Sequence, residues 1–230
     1  MGPEAPRASR SRLWTTTPAL VGIGIALVSL AAYIELAEDL RISPLIYQFD
    51  MQVSALVQAW RMPALTWFFE AVTWGASSVP VTLVTVVAIA VLVWLGRHRE
   101  ALFVALVMAV GTGLGAVAKR VAARPRPPVA SALIELPTSY SFPSGHTLAA
   151  QLLWAVVIVA VWRATTRADV RWAVAVIGIG LMILTALSRI YLGVHWPSDT
   201  IASWLLGGAW LAACLGGFLT WERAVGRPPC

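Results

Sequence analysis

The sequence predicts an all-α, polytopic membrane protein: six transmembrane helices, plus amphipathic surface helices between the first and second spans. Three observations predict it. Of 230 residues, 59% are hydrophobic and 12% charged, with a mean hydropathy of +0.76. A soluble domain carries roughly a quarter charged residues. The apolar residues fall in runs close to the ~20 that cross a bilayer as a helix. The arginines between those runs are dense in every second connection, as expected of positive charge kept on the cytoplasmic side.

The apolar runs place spans at 18–37, 79–96, 101–119, 146–162, 172–190 and 198–220. The expected organisation is a cytoplasmic tail 1–17, one membrane domain 18–220 and a cytoplasmic tail 221–230. The first run follows Arg7, Arg10 and Arg12, as a signal peptide would, but it is long for a cleaved segment and is expected to stay as an anchor. Asp50, Gln52, Gln58, Arg61 and Glu70 interrupt segment 40–78, and Pro44 and Pro63 break it. Amphipathic helices lying along the membrane surface fit this segment better than a span. His98, between Arg97 and Arg99, is expected in a cytoplasmic loop.

Orientation follows from charge. With a cytoplasmic N-terminus, the inside holds ten cations, from Arg7 to Arg227, against four acids: Glu4, Glu100, Asp169 and Glu222. The outside holds seven cations, of which Lys119, Arg120, Arg124, Arg126 and Arg189 crowd into the motifs described next. Both termini are then cytoplasmic. Trp14, Trp94, Trp162, Trp172 and Trp221 fall at inner ends, and Trp60, Trp67, Trp74 and Trp196 near the outer face, where amphipathic rings settle. The net charge of +6 is scattered between spans, which argues against a nucleic-acid partner. Cys214 within a span and Cys230 at the end make no disulfide framework.

Three polar motifs reach one face in this topology. Lys119-x6-Arg126-Pro127 follows the third span, Pro143-Ser144-Gly145-His146 opens the fourth, and Ser188-Arg189-x5-His195-x3-Asp199 bridges the fifth and sixth. Prolines hold Arg124-Pro125-Arg126-Pro127-Pro128 extended. Arginine offers phosphate oxygens a planar fork, and lysine a point charge; alone, this loop also suits a headgroup anchor. Ser144 is a natural N-cap, Gly145 admits close backbone approach, and the first-turn N–H groups favour an anion. His146 there is placed to donate a proton to a leaving oxygen. Pro197 suits the first turn of a helix, which puts Asp199 within reach of His195. A carboxylate on one imidazole nitrogen fixes the tautomer and leaves the other free to attack.

In this order the motifs resemble the type-2 phosphatidic acid phosphatase family of lipid phosphatases, related to vanadium haloperoxidases. Its K-x6-RP, PSGH and SR-x5-H-x3-D pattern is matched at every defining position, over about residues 79–220. Arg124-Pro125 is a second Arg-Pro pair, but only Arg126 keeps the family spacing from Lys119. The resemblance implies His195 as nucleophile, Asp199 orienting it, and His146 protonating the leaving group. It implies Lys119, Arg126, Ser144, Gly145 and Arg189 around the phosphoryl oxygens. No cofactor and no metal are expected, because protein cations take the metal's part.

The expected partners are the bilayer and a lipid phosphate or pyrophosphate. By family analogy the first substrate is undecaprenyl pyrophosphate in a bacterial inner membrane, with phosphatidylglycerophosphate and phosphatidic acid as alternatives. Six spans argue against a haloperoxidase, whose known members are typically soluble. A non-catalytic lipid-binding or lipid-translocating protein would not need the His195–Asp199 pair.

Overall fold

A computed structural model of the chain describes residues 8–225, with side chains from Thr16 onward, Arg41 excepted. Arg7, Arg227 and Cys230, and the side chains of Arg10, Arg12, Trp14 and Arg41, lie outside the described residues. The described chain is helical: α1 Ala8–Ile42, α2 Pro44–Gln58, α3 Pro63–Gly75, α4 Ser78–Trp94, α5 His98–Ala122, α6 Gly145–Ala164, α7 Ala168–Tyr191 and α8 Pro197–Ala224. A single 3-10 turn, Val129–Ser131, lies in the long connection between α5 and α6.

Helices α1, α5, α6, α7 and α8 are each long and apolar enough to span a bilayer. The expected span 79–96 falls on α4, which passes as a sixth span only when taken together with α3. Helix α4 has 17 residues and joins α3 through a 45° bend. Segment 63–75, expected as a surface helix, forms α3, whose apolar run Ala64–Phe69 leads into α4. Pro44 and Pro63 each begin a helix, at the position where proline's missing N–H is not needed. His98 opens α5 and does not lie in a loop, because the helix starts above the apolar run.

Side chains sort by neighbour. Val107 and Leu152, both fully buried, centre a core shared by α5, α6 and α8. Leu20, Val28, Leu83 and Val176 face outward over the spans, as lipid contact allows. Helix α1 lies along α8 at a glycine contact. A Cβ on Gly22 would stand 2.9 Å from Gly216 Cα, and one on Gly216 2.7 Å from Pro18 O. Such close approach needs small residues.

Helix α2 is amphipathic, but its polar stripe faces inward. Asp50 and Ser54 are its buried residues, and Gln58 Nε2 donates to Ile190 O at 3.4 Å. Leu45, Met51 and Leu56 are exposed. Arg61, expected as an outer-face charge, instead ties this segment to α7: it donates to Tyr191 O at 2.8 and 3.0 Å and to Ser131 O at 2.7 Å. Trp60, Trp67, Trp74, Trp94 and Trp172 are exposed as an aromatic belt requires, whereas Trp196 is buried.

At the end of the bundle holding the α4–α5 and α6–α7 turns, charges pair among themselves. Arg97 binds Glu100 at 3.1 Å, and Arg163 bridges Glu222 at 2.5 Å and Glu100 at 3.8 Å. The three motifs lie at the opposite end.

Candidate active site

Four helix ends build the site. The last turn of α5 carries Lys119, and Ala123, in the left-handed region at φ 47°, ends the helix. Ser144 caps α6, its side chain accepting from Thr147 N at 3.5 Å and from Thr147 Oγ1 at 3.0 Å. Gly145 and His146 then open the helix. Arg189 sits in the last turn of α7. Its carbonyl accepts from Val194 N and His195 N at 3.1 and 3.2 Å, which folds the chain back toward α8. Gly193 makes that turn possible: its φ is +73°, and a Cβ would lie 2.0 Å from Ser131 O.

Lys119, Arg126, Gly145, His146, Arg189 and His195 line one cavity of about 450 Å³. Thus all five cations and histidines among the expected site residues, Lys119, Arg126, His146, Arg189 and His195, converge with Gly145 on one space, drawn from residues up to 76 positions apart. Asp199 stands behind His195. Ser144 is fully buried in its cap and does not line the cavity. A Cβ on Gly145 would touch only Lys119 Cε, at 3.8 Å, so the protein around it does not demand glycine.

His195 is 2% exposed, and its Nδ1 lies 3.1 Å from Asp199 Oδ2. The same oxygen accepts from Trp196 N at 2.9 Å and from the Ser141 hydroxyl. An ionised Asp199 therefore holds the proton on Nδ1 and leaves the Nε2 lone pair free of it. Burial, with Arg189 and Arg126 adding repulsion against the protonated form, pushes the imidazole down to about 3, although Asp199 opposes this. The ring is therefore neutral at physiological pH. Nε2 lies 3.1 Å from Arg126 Nη1, which also donates to Val194 O at 2.8 Å. Burial lowers the Arg126 guanidinium from its ordinary value, against the pull of Asp199.

The cations are held differently. Lys119 Nζ donates to Tyr140 O, Ser141 O and Pro143 O at 2.8, 3.2 and 2.7 Å, which fastens the loop before α6. Arg189 is 2% exposed; Nη1 donates to Thr73 Oγ1, and buried Nε has no partner. A buried guanidinium with an open donor beside a cavity suits an anion. Among the described residues no three His, Cys, Asp or Glu side chains gather where they would hold a metal ion.

Two residues at this site escaped the sequence reading. Arg124, set aside as the second Arg-Pro pair, donates to Asp199 Oδ1 and to Asp50 Oδ2, both at 2.6 Å. Asp50, read as an interruption in a surface segment, is fully buried. The available signal was the i, i+4, i+8 spacing of Asp50, Ser54 and Gln58, a polar stripe on an otherwise apolar helix. Trp196, expected near the outer face, packs against Arg124, whose Cζ lies 5.6 Å from its ring, and its Nε1 donates to Pro125 O at 3.2 Å.

A helical membrane bundle with a cation-lined, paired-histidine cavity at one end defines the class. Residues 100–223 match the PAP2 superfamily, and the chain belongs to that family. Over 76 residues it is 43% identical to an undecaprenyl-diphosphatase of Sulfolobus acidocaldarius, covering 33% of this chain and 32% of that one. Over 75 residues it is 37% identical to phosphatidylglycerophosphatase B of Haemophilus influenzae, covering 32% and 30%. The matched segment thus spans about a third of each of these curated relatives. The fold is similar to that of a transmembrane PAP2-type phosphatidylglycerolphosphate phosphatase from Bacillus subtilis: TM-score 0.73, 22% identity, covering 88% of this chain and 98% of the other. It is also similar to Aquifex aeolicus LpxE, with TM-score 0.54, 23% identity and coverage of 74% and 93%.

Proposed function

We propose that this protein hydrolyses a lipid phosphate or pyrophosphate through a phosphohistidine on His195. The observation that carries the proposal is His195, its Nδ1 3.1 Å from Asp199 Oδ2, on the wall of a cavity shared with Arg126, Arg189, Lys119 and His146. An incoming phosphoryl group draws Arg126 off Nε2 and takes up its donors. Nε2 then attacks phosphorus, and the bond to the leaving oxygen breaks. His146 gives that oxygen a proton. Water, deprotonated by His146, next attacks the phosphohistidine; the P–N bond breaks and inorganic phosphate leaves. Arg126, Arg189 and Lys119 offset the oxygen charge at both stages, so the reaction needs no metal ion. Gly145 lets the α6 backbone approach a phosphoryl oxygen. Ser144 holds that helix start in place through its cap.

The lipid reading has its own support. A groove of about 260 Å³ between α4 and α5, reaching Val86, Ile89 and Met108, shares Val81, Thr82 and Thr112 with the cavity. An apolar tail fits there while its headgroup meets the cations. The first substrate we infer is undecaprenyl pyrophosphate, converted to undecaprenyl phosphate, in line with the relative that carries that activity in its name. Phosphatidylglycerophosphate is the second reading, favoured by the Haemophilus relative. The arginine bias supports cytoplasmic termini and a site on the outer face, which we infer to be that of a bacterial inner membrane.

The test is phosphate release by the purified chain in detergent and EDTA, from undecaprenyl pyrophosphate, phosphatidylglycerophosphate and phosphatidic acid. Release that persists in EDTA and vanishes in His195→Ala is expected, and the ranking of rates names the substrate. Activity lost in EDTA and restored by magnesium would overturn the metal-free mechanism.

A further inference from the structure

Asp199 poses an electrostatic problem. It is fully buried, and its partner His195 is neutral, so the histidine does not cancel its charge. A buried carboxylate without a counter-charge takes up a proton. Arg124 meets this need from behind: Nη1 is 2.6 Å from Asp199 Oδ1. The other nitrogen of the fork, Nη2, is 2.6 Å from Asp50 Oδ2. Ser198 closes the ring: its hydroxyl accepts from Arg124 Nη1 at 2.7 Å and donates to Asp50 Oδ2 at 2.7 Å. The Ser198 N–H donates to Asp50 Oδ1 at 2.8 Å, so a carboxylate from α2 also sits at the N-terminus of α8.

We propose that Asp50 and Arg124 are positioning residues for the reaction, forming a chain Asp50–Arg124–Asp199–His195 that keeps Asp199 ionised and aimed at Nδ1. Asp50 fixes the guanidinium so that its fork faces Asp199, and it offsets the arginine's charge. The chain reaches across 145 residues from α2, outside the segment matched to the family, to the nucleophile on the loop before α8. It lies on the side of Asp199 away from the cavity, since neither Asp50 nor Arg124 lines it.

The consequence is selective. The chain touches no substrate, so disturbing it slows turnover and leaves binding alone. Arg124→Gln removes the cation that keeps Asp199 ionised, so the buried Asp199–His195 pair takes up a proton more readily. Read at the His195 ring, the midpoint of that pair rises. The other charges facing His195 and Asp199 stay in place: Lys119 of α5, Arg126 of the loop, His146 of α6 and Arg189 of α7. Asp50→Asn keeps Arg124 charged, so it slows turnover without raising the histidine.

This proposal rests on the phosphatase reading, and one experiment separates the two. Steady-state kinetics in detergent with undecaprenyl pyrophosphate and phosphatidic acid are run on wild type, Asp50→Asn, Arg124→Gln, Arg124→Lys, the Asp50→Asn/Arg124→Gln double variant and His195→Ala. The His195 imidazole is followed by 15N NMR. Expected is a kcat loss of roughly 10- to 100-fold in Asp50→Asn and Arg124→Gln, with KM within about 3-fold. The double variant falls no further than Arg124→Gln, because both act through one guanidinium. The His195 midpoint rises in Arg124→Gln but not in Asp50→Asn. Arg124→Lys, which keeps charge but loses the fork, falls between wild type and Arg124→Gln and keeps the test open if Asp50→Asn does not fold. Wild-type kcat in the folded variants, or a raised KM at unchanged kcat, would overturn the chain. Activity retained in His195→Ala would overturn the phosphatase reading itself.

Discussion

The two ends of the bundle handle charge in opposite ways. At one end Arg97 and Arg163 meet Glu100 and Glu222 directly, cation against acid. At the other end Lys119, Arg124, Arg126 and Arg189 gather, and among the described residues Arg124 is the one of these four in direct ion pairs, with Asp50 and Asp199. Lys119 donates to three carbonyls, and Arg126 to carbonyls, Ser139 Oγ and His195 Nε2. Unfilled donors occur at both ends, on Arg189 here and on Arg99 and Arg163 there, so the contrast lies in the ion pairs. Balanced pairs stabilise a membrane protein's polar end. A buried surplus of positive charge is costly, and a phosphate anion is the natural counterweight. On the proposed function, the difference teaches that the first end is built to hold and the second to bind.

The largest expected effect that sharpens this contrast is loss of the proposed nucleophile. His195→Ala should lower phosphate release by about four orders of magnitude or more, read in the EDTA assay. Asp199→Asn should cost about 10³-fold in kcat, since the tautomer is then no longer imposed. Arg189→Lys should cost about 10- to 100-fold in kcat/KM, because an ammonium cannot serve Thr73 and a phosphoryl oxygen from one plane. At the opposite end, Glu222→Gln should leave kcat/KM unchanged and lower the unfolding free energy by about 1–3 kcal/mol, followed by thermal denaturation in detergent. If Glu222→Gln abolished turnover in folded protein, the division between the ends would break.

Protonation gives a further check. The His195 imidazole is pushed down, so it stays neutral as pH falls through the ordinary histidine range. In His146→Gln protein, 15N NMR should show no His195 titration between pH 8 and about 5. A midpoint near the ordinary value would mean that water reaches the ring and that Asp199 outweighs the cations.

Much of this was legible in sequence because it is local. Apolar runs show the long helices, and fixed spacings such as His195-x3-Asp199 put two side chains on adjoining turns. The bent α3–α4 pair was not legible, since Ala64–Phe69 reads equally as the apolar side of a surface helix. Neither was Ser144, whose capping role is visible in Pro143-Ser144-Gly145-His146 but whose distance from the cavity is not. Asp50 was hidden for a different reason. Its partners Arg124 and Ser198 lie 74 and 148 positions away, and no local pattern encodes such a meeting. An amphipathic helix also does not announce whether its polar stripe faces water or a buried arginine.

The central claim is a covalent phosphate on His195. Rapid quenching of the purified chain with a 32P-labelled lipid phosphate, followed by peptide mapping in base, tests it most directly. The account predicts an acid-labile, base-stable adduct on the peptide containing His195 and none in His195→Ala. Turnover without an adduct in wild type, together with activity in His195→Ala, would contradict it.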